Sequence, residues 1–204
     1  MRLPAPLMLL MILFLTATRA AAAVPSRAHL YFPVLREEHR RVWPEGDIRI
    51  IAEQISHESG WRREAVRREK SGVVSYGALQ VLDKTLLALK KQHPEALQKV
   101  GRPSDMLQAR WGIRAGILYD RHLWSLVSFA ADSRERYAMM LSAYNGGYGW
   151  LLRDRKLAAA MGADPDRWFG NVERFSRRSG RNFTINRRYA REILSGAAQY
   201  KRLL

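Results

Sequence analysis

The sequence predicts one mostly α-helical domain, on three observations. Its 204 residues, 47% of them hydrophobic, are enough to enclose a single core. Apolar residues recur at intervals of three and four along several segments, as on one face of an α-helix, and no segment shows the convincing alternation of a half-buried strand. The chain contains no cysteine, which excludes a disulfide framework, a thiolate zinc site and a cysteine nucleophile.

The first 23 residues are typical of a secretory signal peptide. Arg2 precedes an apolar run over residues 7–15, and small residues follow up to Ala23. This run is much shorter than the ~20 residues that a helix needs to cross a bilayer. We therefore expect cleavage after Ala23, or after Ala20, export to the periplasm or cell envelope, and no stable membrane insertion of the mature chain.

Residues 24–46 form the next predicted segment. Prolines interrupt this segment, so we expect an extended lead-in or a short helix around residues 34–42. From Asp47 the pattern becomes helical, because Asp47 can accept a capping hydrogen bond and isoleucines follow it at helical spacing. Residues 47–204 are therefore predicted to be the folded domain.

Further helices are predicted along this domain. Residues 59–79 break the helical period, carry several glycines and are predicted to be largely loop. Asp132 and Glu135, three residues apart, resemble a capping box. Helices are predicted from Asp83 to a stop before His93, from Ser104 or Asp105 to Val127, from Asp132 to the glycine-rich residues 145–149, and from near Asn186 towards the end of the chain.

The chain is strongly basic, with 35 Lys and Arg against 19 Asp and Glu and a formal charge of +16. Such a surplus predicts an anionic partner or surface. Loss of Arg2 and Arg19 with the leader lowers the charge to +14. Because nucleic acid is not the usual partner of an exported protein, and no nucleic-acid-binding module is recognisable, we expect no nucleic-acid partner.

Glu58 is the first candidate for a catalytic residue. It continues the apolar series of the helix that follows Asp47, at the edge of the buried face. It also lies near the end of that helix, where the macrodipole disfavours a negative charge. Burial and the dipole both raise the pKa of a carboxyl and so favour the protonated form that a general acid needs. The alternative is a buried Glu58 paired with one of the many arginines.

Several other site chemistries are excluded by the sequence. Residues 57–61 begin like the zinc motif HExxH, but Trp61 stands in place of the second histidine. The five histidines are scattered without ligand spacing, so no metal site is predicted. No nucleophile elbow, Walker loop or dinucleotide-binding motif is present, and we expect no cofactor.

Three short motifs lie in order along the chain: residues 58–61 read E-S-G-W, residues 71–80 read S-G-V-V-S-Y-G-A-L-Q, and residues 143–147 read A-Y-N-G-G. In this order they resemble the Glu-Ser, S-x-x-G-A-x-G-L-M-Q and A-Y-N-A-G motifs of the soluble, lysozyme-like lytic transglycosylases, which cleave peptidoglycan. Residues 113–119 and the tyrosine-containing segment 186–194 also resemble helices of that family. The departures from the family pattern are Val74-Ser75, Ala78-Leu79 and Gly146 in place of alanine.

The resemblance implies a lysozyme-like domain with a substrate groove and one residue that is both acid and base. Glu58 is expected to protonate the oxygen between N-acetylmuramic acid and N-acetylglucosamine. As a carboxylate it would then take the proton of the C6 hydroxyl that attacks C1, which leaves a 1,6-anhydromuramyl end. The implied substrate-binding residues are Ser59, Ser71, Gln80, Tyr144 and Asn145.

The resemblance also implies individual roles for these residues. The hydroxyl of Tyr144 is expected near Glu58, where it would orient the carboxyl. Ser59 is expected to shape the loop after the acid, and Asn145 to be mainly structural, tying the glycine turn to neighbouring backbone. Four aromatic residues are candidates for stacking on sugars: Trp61, Tyr76, Tyr148 and Trp150.

The implied partner is the glycan strand of peptidoglycan. The setting is open between wall turnover, a secretion, conjugation or phage-related envelope assembly, and phage lysis. Two other functions stay open as well. One is a muramidase that uses water, as in goose-type lysozymes, and the other is an inactive cell-wall-binding module of an envelope-spanning assembly.

Overall fold

A computed structural model describes residues 24–68 and 72–204. The predicted signal peptide, residues 1–23, and Ser71 lie outside the described residues. The described part contains seven α-helices: α1 (Ser26–Val42), α2 (Ile48–Ser59), α3 (Asp83–Gln92), α4 (Ala109–Leu126), α5 (Ser133–Gly146), α6 (Tyr148–Ala160) and α7 (Gly180–Gly196). Short 3-10 helices span Pro103–Leu107, Val172–Arg174 and Ala197–Leu203. The prediction of a mostly α-helical fold is confirmed.

Helix α4 lies at the centre of the packing. It contacts α1 on one side and α5 on another, while α5 in turn packs against α6 and α7, and α2 against α7. Fully buried apolar side chains of α4 form its stripe towards the core: Ile113, Ala115, Ile117, Leu118 and Leu123. A continuous apolar stripe of this kind is what stabilises a helix in a globular domain.

Helix α1 is longer than the sequence predicts, since it begins at Ser26 and continues through Pro33. Its apolar face is buried, with Phe32 3% exposed. Glu38 is fully buried on the same helix and accepts a 3.0 Å hydrogen bond from Nη2 of Arg114 in α4. This contact stabilises α1 through a partner far away in the sequence. The division of the chain at residue 47 stays a prediction.

The predicted loop between α2 and α3 contains a small antiparallel sheet, so the expectation of no strands in this region was wrong. Its strands are β1 (Val66–Arg68), β2 (Val74–Tyr76) and β3 (Val81–Leu82), in the order β1-β2-β3. Val66 pairs with Tyr76, and Ser75 pairs with Leu82. Strands of two or three residues are too short to show an alternation.

Helix boundaries differ from prediction mainly in the second half of the chain. Helix α6 was not predicted, and α7 begins at Gly180 instead of near Asn186. The helix expected to start at Ser104 or Asp105 is divided into the 3-10 turn Pro103–Leu107 and α4. Mixed charged and apolar residues around these segments hide their periodicity, and tertiary contacts decide their extent.

The predicted caps of α2 and α5 are confirmed. Asp47 accepts a 2.9 Å hydrogen bond from the backbone N–H of Arg49, and Asp132 accepts bonds from the first turn of α5. The resemblance to a capping box is wrong in one respect: the carboxylate of Glu135 accepts the backbone N–H groups of Trp168 and Phe169 instead. Glu135 therefore fastens the segment after α6 to α5.

No helix among residues 24–68 and 72–204 is both long and apolar enough to cross a membrane.

Candidate active site

Glu58 lies in the last turn of α2, at the wall of a cavity. The helix ends at Ser59, and the next residue, Gly60, has a φ of +59°, in the left-handed region that glycine adopts without a Cβ clash. Ile51 and Ile55 of the same helix are fully buried, while Glu58 is partly exposed. The cavity has a volume of about 350 Å³ and is lined by Glu58, Arg62, Glu64, Ala65, Val66, Arg67 and Gln80.

The carboxyl of Glu58 is held by Tyr189 of α7. The Tyr189 hydroxyl donates a hydrogen bond of 2.6 Å to Oε1 of Glu58. Burial raises the pKa of Glu58 to about 7, although the hydrogen bond from Tyr189 and the charge of Arg67 both act to lower the pKa. Among the described residues, Glu58 does not form the ion pair with an arginine that was the alternative interpretation. Arg67 acts on the pKa of Glu58 only through its charge. A carboxyl with this pKa is protonated in a large fraction of molecules at neutral pH.

A second carboxyl, Asp120 of α4, lies close enough to interact with Glu58. Asp120 is fully buried and accepts a 3.2 Å hydrogen bond from Nε2 of Gln54. Burial and the charge of Glu58 raise the pKa of Asp120 well above its usual range. Sequence reasoning missed this acid, because an aspartate in the middle of an amphipathic helix is ordinarily exposed. Asp120 does not line the cavity.

Tyr144 contacts a different group from the one predicted. Its hydroxyl donates a 2.6 Å hydrogen bond to the backbone carbonyl of Leu79, and the hydroxyl on the Glu58 carboxyl is that of Tyr189. Burial, followed by the charges of Asp120 and Glu58, raises the pKa of Tyr144 well above its usual range. Tyr189 belongs to the tyrosine-containing segment 186–194, for which the sequence predicts a helix but no role at the site.

Gln80 lines the cavity, yet its side chain bonds to the protein. Nε2 donates to the carbonyls of Ala65 and Gly77 at 3.0 and 2.9 Å, and Oε1 accepts the hydroxyl of Ser75 at 2.9 Å. Its φ of +50° is unusual for a residue with a Cβ. These three bonds hold the turn after β2 against the segment after α2. Contact between Gln80 and a sugar stays a prediction.

Ser59 and Asn145 both make structural bonds. Ser59 is 3% exposed and its hydroxyl donates to the carbonyl of Ile55 at 3.3 Å. Asn145 is exposed, and its Oδ1 accepts a 3.1 Å bond from Nδ2 of Asn186 in α7. Both geometries agree with the shaping roles expected for these residues. Their contact with substrate stays a prediction, as does that of Ser71 outside the described residues.

The expectation that Trp61 stacks on a sugar was wrong. Trp61 is 1% exposed, and its indole N–H donates a 3.0 Å hydrogen bond to the hydroxyl of Tyr200. Phe32 packs against both rings. The aromatic residue of this motif therefore joins α1 and the end of the chain to the core below the site.

The described residues contain no group of three or more histidine, cysteine, aspartate and glutamate side chains placed to hold a metal ion. The chemistry that the cavity offers is thus a proton donor and acceptor, Glu58, oriented by a phenol and flanked by guanidinium groups. Such a carboxyl can deliver a proton to a leaving oxygen and take one back from an attacking hydroxyl.

Comparison with known proteins gives distant relatives of one kind. No model of a known protein family matches the chain. A protein of Vibrio campbellii named membrane-bound lytic murein transglycosylase F is 30% identical over 130 residues, which are 64% of this chain and 21% of the relative. The protein of the same name from Vibrio cholerae is 31% identical over 86 residues, 42% of this chain and 16% of the relative.

A shorter match has higher identity. The protein of that name from Erwinia tasmaniensis is 37% identical over 65 residues, 32% of this chain and 13% of the relative. The matched regions span about a fifth or less of the length of these relatives. The chain is thus similar to a part of proteins named as lytic murein transglycosylases.

Proposed function

We propose that the chain is a peptidoglycan lytic transglycosylase of the soluble, lysozyme-like type. Its fold would be that of a lysozyme-like domain. It would cleave the β-1,4 bond between N-acetylmuramic acid and N-acetylglucosamine and form a 1,6-anhydromuramyl end. Similarity to proteins named lytic murein transglycosylases supports the reaction class. The observation that carries the proposal is the Glu58–Tyr189 pair at the wall of a cavity, with a Glu58 pKa of about 7.

The first step uses Glu58 as a general acid. Its proton passes to the glycosidic oxygen as the bond from that oxygen to C1 of the muramyl residue breaks, so the N-acetylglucosamine leaves as an alcohol. The acetamido oxygen of the muramyl residue stabilises the positive charge at C1. The hydroxyl of Tyr189 then donates to a full carboxylate, a stronger bond than the one to the acid.

The second step uses the same residue as a base. The Glu58 carboxylate takes the proton of the C6 hydroxyl while the C6 oxygen bonds to C1, and the anhydro ring closes without consuming water. One residue can serve both steps only where neither charge state is strongly disfavoured. A pKa of about 7 meets that condition near neutral pH.

The remaining expectations belong to the same proposal. Residues 1–23 would direct export to the periplasm or envelope, and residues 47–204 would form the catalytic domain. Ser59, Ser71, Gln80, Tyr144 and Asn145 would line or shape the sugar subsites. The partner would be the glycan strand of peptidoglycan, in wall turnover or at a secretion, conjugation or phage-related envelope assembly.

Glu58→Gln tests the proposal. Digests of purified sacculi by the wild-type protein should contain muropeptides with 1,6-anhydro ends, identified by mass spectrometry. The substitution removes the proton that the first step transfers, so release should fall by about 100-fold to 10,000-fold. Retention of activity in the variant would overturn the assignment of Glu58.

Glu53→Gln is the matched control. Burial also raises the pKa of Glu53 to about 7, and it lies on the same helix, but it does not line the cavity. Activity should survive this change. Equal loss in both variants would indicate damage to α2 instead of loss of the acid.

A hydrolytic muramidase is the second candidate, because an exposed carboxylate, Glu64, also lines the cavity with Glu58. Such a second acid could activate a water molecule. The muramidase would give reducing ends in place of anhydro ends, and Glu64→Gln would abolish them. Anhydro products that persist in Glu64→Gln would exclude the muramidase. If the wild-type protein binds sacculi without releasing any product, it is a wall-binding module instead.

A further inference from the structure

A larger cavity, of about 590 Å³, lies between the end of α1, the segment after α3 and one face of α4. We refer to it as the Arg121 cavity. Among the described residues that line it, five are arginine or lysine and one is acidic. The basic residues are Arg41, Lys99, Arg110, Arg114 and Arg121, and the acid is Glu95. A concave surface lined mainly by charges of one sign concentrates their potential.

Two of the basic side chains are neutralised and form the floor of the cavity. Arg114 is 5% exposed, and it donates to Oε1 of Glu38 at 3.0 Å and to the backbone carbonyl of Ala96 at 2.9 Å. Nη2 of Arg110 donates to both carboxylate oxygens of Glu37 at 2.9 Å. These bonds join α1, α4 and the segment after α3, so they fix the shape of the cavity.

The other three basic side chains have no such counter-charge. Arg41, Lys99 and Arg121 are exposed, and none of them forms an ion pair with a described residue. Arg121 is positioned by one bond, from Nη1 to the carbonyl of Val42 at 3.0 Å, and its Nε and Nη2 make no hydrogen bond to the described residues. Three cations against the carboxylate of Glu95 leave a surplus of two positive charges at the cavity.

The histidine of the cavity is affected by this surplus. His93 also lines the cavity, and its pKa is lowered, first by burial and then by the charges of Arg121 and His122. A pKa lowered by nearby cations shows that a further positive charge is unfavourable at this place. The cavity is therefore a place where a bound anion would be stabilised.

The Arg121 cavity lies on a different side of α4 from the Glu58 site. Leu118 lines the Arg121 cavity, whereas Asp120 accepts a hydrogen bond from Gln54 of α2, the helix that carries Glu58. At 3.6 residues per turn, side chains two positions apart on a helix point roughly 160° apart. The two cavities share no lining residue among those described. A ligand of the Arg121 cavity thus goes beyond the sugar chemistry proposed at Glu58.

We propose that the Arg121 cavity binds a phosphate ester group, carried by a lipid head group or by a soluble ester. A phosphate monoester has about 1.5 to 2 negative charges at pH 7 and three acceptor oxygens. It would match the surplus of two charges and accept bonds from Arg41, Lys99 and Arg121, which come from three different segments. A single carboxylate would match half of the surplus. Guanidinium groups bind phosphate in a two-pronged geometry.

Calorimetric titration with sn-glycerol 3-phosphate tests the site in solution. At about 50 mM sodium chloride, where exposed charges are weakly screened, we expect saturable binding to one site. Lactate, with one carboxylate, should bind at least tenfold more weakly. Arg41→Gln and Arg121→Gln should each weaken binding of the phosphate ester about tenfold, because each removes a charge-assisted hydrogen bond.

Arg40→Gln is the matched control. Arg40 is the exposed neighbour of Arg41 on α1, and it does not line the cavity. The substitution removes the same charge and should change affinity less than twofold. Equal effects of Arg40→Gln and Arg41→Gln, in proteins with unchanged thermal melting, would overturn the inference. So would tighter binding of tetraglutamate than of the phosphate ester, which would indicate an acidic protein segment instead.

Flotation with vesicles distinguishes the two sources of the phosphate. Phosphatidylcholine vesicles with about 20% phosphatidic acid would be compared with phosphatidylcholine alone, because an anionic lipid attracts basic residues. Binding to the anionic vesicles that is lost in Arg41→Gln would identify a lipid head group, and calorimetric binding without flotation a soluble ester. Absence of binding in both assays would overturn the inference. Glu58→Gln should leave both results unchanged, so failure of the transglycosylase proposal would be seen separately, as absence of anhydro ends.

Discussion

At the scale of single residues, the surroundings of a carboxyl decide which acid can work. Glu53 and Glu58 lie on the same helix, and burial raises the pKa of each to about 7. Of the two, Glu58 lines the cavity of about 350 Å³ and receives the Tyr189 hydroxyl, and Glu53 does neither. Burial raises the pKa of Asp120 well above its usual range too, but this carboxyl is enclosed in the core. A raised pKa thus identifies a catalytic acid only when it is combined with access to substrate.

Tyr189→Phe should change the pH dependence of the proposed reaction. The hydrogen bond from Tyr189 lowers the pKa of Glu58, so its loss should raise that pKa above about 7. Because the first step needs protonated Glu58, kcat/KM should be level below the pKa and fall above it. The falling limb should therefore move to higher pH in the variant, while the rate at pH 5 to 6 drops about tenfold from the lost orientation.

Tyr144→Phe is the control for this measurement. The Tyr144 hydroxyl donates to the carbonyl of Leu79, so its removal should leave the falling limb of the kcat/KM profile near pH 7. Product release would be followed across pH 5 to 9. If the falling limb of the profile does not move in Tyr189→Phe, the role assigned to Tyr189 is contradicted.

At the scale of elements, close approach of α4 to the turn after β2 places the site residues. A Cβ at Gly116 of α4 would lie 2.2 Å from Cδ1 of Leu79, and a Cβ at Gly112 would lie 2.3 Å from the carbonyl of Met106. Leu79 accepts the Tyr144 hydroxyl, and Gln80 follows it at the cavity wall. The glycines of α4 therefore allow α5 and the small sheet to meet beside Glu58.

Gly116→Ala should destabilise the domain. The added methyl group overlaps a fully buried leucine, and such overpacking costs about 1–3 kcal/mol. Equilibrium denaturation in urea would give the change in the free energy of unfolding. Gly149→Ala in α6 is the matched control, because a Cβ there meets nothing within 4 Å. It should be neutral or stabilise by up to about 1 kcal/mol, and equal effects of the two substitutions would refute the packing argument.

At the scale of the whole molecule, the formal charge of +16 acts on encounter more than on fold. Much of the arginine content has structural partners: Arg114 pairs with the buried Glu38, and Arg136 and Arg155 lie over the rings of Trp124 and Phe129. The remaining surplus would attract a polyanion, such as the carboxylate-rich wall of the proposed function.

Binding of the Glu58→Gln protein to sacculi should therefore weaken as salt is added. Between about 50 and 300 mM sodium chloride, the Debye length falls from roughly 14 to 6 Å and exposed charges are screened. Cosedimentation should show several-fold less protein bound at the higher concentration. Retention on insoluble chitin, an uncharged glycan, should change little over the same range. Equal salt dependence on both polymers would argue against charge attraction to the wall.

The features that sequence determined are those encoded within a few residues. The caps at Asp47 and Asp132, the helix that ends after Glu58 and the mostly helical fold follow from local spacing and side-chain chemistry. The raised pKa expected for Glu58 follows from its position at the edge of a buried face near a helix end. The caps and helix ends depend on neighbours one to four positions away, which a single sequence displays, whereas the burial that raises the pKa of Glu58 is completed by the rest of the fold.

The partners that complete the site were decided by tertiary structure alone. Tyr189 is 131 positions from Glu58, and Tyr144 lies 65 positions from the Leu79 carbonyl that takes its hydroxyl. The same holds for Arg121, which lies 79 positions from the Val42 carbonyl to which it donates. A single sequence shows which side chains can donate and accept, but not which of several tyrosines or arginines reaches a given atom. That choice is made when packed helices bring distant residues into contact, because short-range hydrogen bonds and steric overlap act only at those distances.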